Sequence, residues 1–187
     1  MQKTLVLAAA LALAGLSNAA FAADGSGFIR GEIGRSHVNV DVSGLGSDSD
    51  TDTNYSFRGG YWFNSNFAIE GFYSNLYDKS FTDGVDTADA KLSAIGLGVV
   101  AKKNFGADGN GFFIDGRAGI TRGKIDLSVS GLGSDSATST KPYFGAGIGY
   151  DFSKNFGLSL NYDHLKGSGD DLSVTANTLT LGAEFRF

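Results

Sequence analysis

The chain has no cysteine, so neither a disulfide framework nor a thiolate site can form. It has one proline in 187 residues, so long unbroken ladders of backbone hydrogen bonds are open to it. Bases are the minority, 15 against 20 acids, and no Lys/Arg stripe exists to neutralise phosphates. A nucleic-acid partner is therefore not expected. Beyond residue 22 there is no apolar run of helix length. Any membrane crossing must then be made by strands closed into a barrel, because only helices and closed barrels satisfy their backbone groups in lipid.

What is plentiful is glycine, 28 residues, suited to turns and crowded interiors. The N-terminus reads as a secretory signal peptide over residues 1–22. Lys3 supplies the positive region, Leu5 to Leu16 the apolar core, and Ala20-Phe21-Ala22 the small-x-small cleavage pattern. The apolar run falls short of the ~18 residues that cross a bilayer, which argues against an uncleaved anchor. Residues 23–187 are left as the mature domain.

The last ten residues alternate strictly. Leu179, Leu181, Ala183, Phe185 and Phe187 share one face; Thr178, Thr180, Gly182, Glu184 and Arg186 share the other. Period two means a strand between two unlike environments. Seven further segments behave alike: 28–36, 55–63, 67–77, 91–101, 112–122, 143–152 and 156–164. The fourth is apolar on both faces, though Gly96 and Gly98 keep one of them small. In the third, Phe72 falls on the polar side, where it either plugs the interior or marks a bulge. An even number of such segments, each about ten residues long, is the signature of an all-β, eight-stranded antiparallel up-and-down transmembrane β-barrel. A soluble sandwich would not need charges recurring on the face opposite the apolar one.

Connections alternate short and long. Residues 64–66 and 153–155 form tight turns and 102–111 a longer one, whereas 37–54, 78–90, 123–142 and 165–173 read as polar loops. Short turns face the periplasm and long loops the exterior in bacterial barrels. Aromatics gather at both rims: Phe63, Phe67, Phe112, Tyr150, Phe152, Phe156, Phe185 and Phe187 near the turns, Tyr55, Tyr73 and Tyr143 near the loops.

There is an internal repeat. Ser43 to Ser49 (SGLGSDS) recurs at Ser130 to Ser136, and Gly60-Tyr61-Trp62-Phe63-Asn64-Ser65-Asn66-Phe67 is echoed by Gly149-Tyr150-Asp151-Phe152-Ser153-Lys154-Asn155-Phe156. The near-equal offsets suggest two four-stranded halves of one barrel, since neither half could cover its own edges. With Gly60 to Tyr73, Gly149 to Tyr162 and the terminal Ala183-Glu184-Phe185-Arg186-Phe187, the mature chain resembles the small eight-stranded outer-membrane barrels of Gram-negative bacteria, the OmpA/OmpX-like surface proteins. That resemblance implies localisation in the cell outer membrane. It also implies passage through the barrel assembly machinery with Phe185 and Phe187 as the assembly signal, and contact with outer-membrane lipid and lipopolysaccharide.

Eight charges project inward by parity: Arg30, Glu32, Arg58, Glu70, Asp115, Arg117, Glu184 and Arg186. At eight strands the interior is only wide enough for side chains to fill, so these charges are expected to pair in a lumen network that supports the fold. The alternative is a narrow channel or passage for small or apolar solutes. An arginine at Leu160 or Ile148 is expected to cost more than one at Ser159, which faces the lumen.

Asp48-Ser49-Asp50-Thr51-Asp52 opens like a calcium loop, but Thr53 and Gly59 stand where glycine and glutamate should be. No metal, cofactor or catalytic site is expected. The two histidines, His37 and His164, read as rim residues rather than as bases for a nucleophile. The four loops carry twelve acids against four bases, so the outer face is anionic. The expected role is that of a surface or structural protein without catalysis, engaged in adhesion or envelope integrity, with any host or cell-surface ligand held by the loops.

Overall fold

A computed structural model of the chain describes residues 25–42, 46–83, 86–106, 109–129, 133–168 and 172–187. The signal segment 1–22 and the tips of the outer connections lie outside the described residues. Eight strands follow one another: β1 (Ser26–Val42), β2 (Gly46–Trp62), β3 (Phe67–Asp83), β4 (Asp86–Asn104), β5 (Gly111–Val129), β6 (Gly133–Asp151), β7 (Phe156–Ser168) and β8 (Leu172–Arg186). Each runs antiparallel to its chain neighbours, and β1 pairs with β8 from Phe28↔Arg186 to Val42↔Leu172, so the sheet closes. Closure removes the unpaired strand edges that lipid cannot hydrate.

Alternation sorts the side chains as the pattern implies. Ile33, Phe57, Ile69, Leu97, Ile114, Ile148, Leu160 and Leu181 stand exposed on the outer wall, and Arg30, Arg58, Glu70, Arg117 and Glu184 are buried within. A continuous apolar wall of this extent is a lipid-facing surface. At the short-turn end the rings of Phe112, Tyr150, Phe152 and Phe156 follow one another at centroid spacings of 5.0, 5.0 and 6.0 Å, part of an aromatic girdle.

The two tight turns use the same chemistry. Asn64 Oδ1 accepts from the backbone N–H of Asn66 and Phe67 (2.8 and 2.9 Å), and Ser153 Oγ accepts from Asn155 and Phe156 (3.2 and 3.1 Å). A short polar side chain thus satisfies the turn's own donors, once in each half of the repeat.

The structure corrects the expected loops. Most of 37–54, 78–90, 123–142 and 165–173 is strand, and Lys102 belongs to β4 rather than to a turn. Outside lipid neither face needs to be apolar, so the alternation fades while the backbone ladder continues. Phe72 lies inside the lumen; the bulge falls a little further on, between Asn75 and Tyr77.

Two ladders stop early. β2 pairs with β3 only over Tyr55–Trp62, and β6 with β7 only over Tyr143–Asp151. The outer half therefore divides into two four-stranded sheets, β7-β8-β1-β2 and β3-β4-β5-β6. The first split is stitched by side chains. Tyr77 Oη donates to Asp50 Oδ2 (2.9 Å), the Asp78 N–H to Asp52 Oδ2 (2.9 Å), and Asn54 Nδ2 to the Asn75 carbonyl (3.1 Å). Asp50 and Asp52 of the calcium-like spacing thus each accept a hydrogen bond from β3.

Candidate functional site

The lumen is built on a rule of large against small. On β5, Phe113, Asp115 and Arg117 point inward, and their register partners on β6 are Gly149, Gly147 and Gly145. A Cβ at Gly145 would collide with Asp163 Oδ1, and one at Gly147 would lie 2.8 Å from Asp115 Oδ2. Likewise Phe72 pairs with Gly96, and Glu70 with Gly98 and Gly60. The inward glycines leave the volume that long charged and aromatic side chains occupy.

The charges meet in the middle of this packed interior. Arg58 touches three carboxylates: Glu32 (Nε, 3.1 Å), Glu70 (Nη1, 2.9 Å) and Asp163 (Nη2, 2.6 Å). Arg117 shares two of them, Glu32 at 3.3 Å and Asp163 at 2.8 Å. Arg30 donates from Nε to Glu184 Oε2 at 2.9 Å, joining β1 to β8. Arg186 bridges Glu184 and Asp151, and Lys102 Nζ reaches Asp151 Oδ2 at 2.6 Å while lying 3.7 Å from the Phe113 ring centroid. Toward the short-turn end, Phe28, Trp62, Ala68 and Val100 pack into an apolar floor. Toward the outer end, Phe72 and Tyr143 cap the ions edge to face.

Of the eight inward charges read from sequence, seven enter ion pairs. Asp115 does not: it is buried, and neither carboxylate oxygen has a hydrogen-bond partner among the described residues. Three further members stand outside those eight. Asp151 and Asp163 share the inward parity of their strands, so the signal for them was present; Lys102 was hidden in an expected turn. Tyr143 also needs correction. Expected among the rim aromatics, it is fully buried in the lumen and donates to Glu70 Oε1 at 2.7 Å.

Phe185 points outward in the girdle, and Phe187 ends the chain with its N–H donating to the Gly27 carbonyl at 2.9 Å. On the outer rim His37 Nδ1 pairs with Thr51 Oγ1 (3.0 Å) and His164 Nδ1 with Asn177 Oδ1 (2.7 Å).

Residues 6–187 match the family model described as outer membrane protein beta-barrel domain. No curated protein sequence matches the chain. Among solved structures, the chain is similar to Ail, the attachment invasion locus protein of Yersinia pestis, in complex with the heparin analogue sucrose octasulfate. The two are 25% identical with a TM-score of 0.58, covering 86% of this chain and 99% of that one. It is also similar in fold to Neisserial surface protein A (19%, TM-score 0.63, 86% and 97% covered). A third is the N-terminal β-barrel domain of Pseudomonas aeruginosa OprF (19%, TM-score 0.52, 84% and 97% covered).

Proposed function

We propose, from the premise that this chain belongs to the outer membrane protein beta-barrel domain family, that it is a closed surface barrel of the outer membrane whose outer arms carry its interactions and which performs no catalysis. One observation carries this reading: the lumen's cross-section is occupied by an ion network whose central side chains, Arg58, Glu32, Arg117 and Glu70, are at most 2% exposed. An interior so filled supports a frame and opposes through-flow.

The arms then decide what the protein meets. The relative of Yersinia pestis was crystallised with a heparin analogue, a polyanion. The outer stretches of this chain carry three times as many acids as bases, so a polyanionic glycan would be repelled and a cationic or neutral surface favoured. The apolar wall fits membrane lipid, and the anionic arms could share divalent cations with lipopolysaccharide. The route to the membrane would use residues 1–22 as a cleaved signal and Phe185 and Phe187 as the mark read by the barrel assembly machinery.

Planar-bilayer recording of the refolded barrel tests the central claim. Silence at all voltages is expected, and reproducible open steps would replace this reading with a channel. A deletion strain scored together for adhesion, serum survival and solute permeability separates surface interaction from envelope integrity.

A further inference from the structure

Above the ion network the lumen changes character. Where the β6–β7 ladder ends at Tyr143↔Leu165, the two outer sheets diverge and enclose a cavity of about 100 Å³. Leu76, Leu92 and Ile125 wall it from one sheet, and Leu165, Val174 and Ala176 from the other. Its inner end is closed by the apolar cluster that contains Phe72 and Tyr143. Thr121 also lines it but is buried, with its hydroxyl given to the Ile95 carbonyl at 3.1 Å; the remaining polar lining comes from Thr138 and Ser139 on β6 and Lys166 on β7, the two strands that flank the split.

A concave apolar wall with a few polar groups at its mouth has the composition of a small-ligand site, and the mouths of β-barrels are a common place for one. We propose that this cup binds the acyl tail of a free fatty acid, admitted through the β6–β7 split, with the carboxylate held at Lys166. The wall excludes a polar solute, which would give up its hydration without replacement. The size excludes two chains side by side: an apolar cavity of about 150 Å³ holds one benzene, so this one takes only the methyl end of a single chain, and the rest of the tail lies along the β6–β7 split toward Lys166. Lys166 supplies the complementary charge on an outer face that is acidic on balance. The site adds to the reading of a closed surface barrel and depends on it only for the orientation of the cup toward the exterior.

Gly123 makes the inference testable. It lines the cup, and a Cβ built on it meets nothing within 4 Å. Gly123→Leu therefore has room for its Cβ and carries its remaining carbons into the space of the cup. Gly116, equally unobstructed but on the outer wall, is the matched control. The measurement is methyl NMR of the full barrel in lipid nanodiscs, titrated with decanoate and with decanol. Decanoate should shift the methyls of Leu76, Leu92, Ala94 and Leu165 saturably. Gly123→Leu should weaken this roughly ten-fold or more, Lys166→Gln about three-fold, and Gly116→Leu not at all. Decanol should bind wild type no better than decanoate binds Lys166→Gln. Shifts that grow without saturation and in step with those of Leu97, Leu160 and Leu181 report partition into the bilayer and overturn the site. So does wild-type affinity in Gly123→Leu. Equal affinity for decanoate and decanol overturns the role of Lys166. Channel silence is measured separately, so neither failure can be mistaken for the other.

Discussion

Tyr143 and Arg58 converge on a single oxygen, Oε1 of Glu70, at 2.7 and 2.9 Å. The phenol arrives from β6 and the guanidinium from β2, so one carboxylate on β3 ties together three strands that are not all neighbours. Removing the hydroxyl keeps the ring that caps the ion layer and deletes one bond. Tyr143→Phe should lower the unfolding free energy of the barrel by about 1–2 kcal/mol, read as a shift in the midpoint of a urea refolding titration in lipid.

Asp163 and Asp115 make a sharper contrast. Asp163 neutralises Arg58 and Arg117 together, and Asp163→Asn would leave two buried guanidinium groups short of charge. A loss of about 3–5 kcal/mol is expected. Among the described residues Asp115 has no hydrogen-bond partner to lose, so Asp115→Asn should cost less than about 1 kcal/mol or add stability. Equal losses in the same titration would contradict the assignment of partners.

Arg30 and Glu184 face each other in register across β1 and β8. Arg30→Glu alone should destabilise the barrel strongly by placing like charges together. Adding Glu184→Arg should recover part of the loss, and a double variant no better than the single one would show that the pair is not coupled.

Packing gives a test that needs no charge. Gly145→Ala puts a methyl against Asp163 and Arg117, with an expected cost of about 1–3 kcal/mol. Gly116→Ala, on the open outer face, should be near neutral.

On the lipid wall, arginine at Ile148 should cost about 2–4 kcal/mol near the midplane. Ser159 faces the lumen, where a lower cost was expected. Ser159 is buried and its Oγ accepts from Asn161 Nδ2 at 3.0 Å, so arginine there has to displace packed lumen side chains. Refolding of both variants is expected to show comparable losses.

The inside–outside assignment was legible wherever a strand crosses lipid, because two unlike solvents impose parity on every residue from Phe28 to Ser36 or Thr178 to Phe187. It faded in the arms, where Asp48 to Asn54 meet water and other protein groups, and the ladder leaves no mark in composition. Tyr143 was misplaced because nearness to a loop was weighed above its parity with Gly145 and Gly147. Lys102 was missed for the opposite reason: two residues beyond Val100 it keeps the inward parity, but it sits at a turn where parity is usually lost. The partners of each charge were not legible, since they follow from the stagger between strands. Arg58 meeting Asp163, 105 positions away, is the product of barrel closure rather than of any local pattern.

That closure also sets an order of events. The hydrogen-bonded seam between β1 and β8 joins the first strand to the last, and Arg30 and Glu184 lie 154 positions apart within it. No fragment lacking the C-terminal strand can make this latch. Until β8 arrives, β1 offers a bare row of backbone donors and acceptors, and Arg30 has lost its nearest carboxylate. The chain thus carries its own completeness check: a truncated or stalled product is left with an open edge and a stranded charge, both poorly suited to lipid. Contacts so distant in sequence predict that closure is a slow step of assembly.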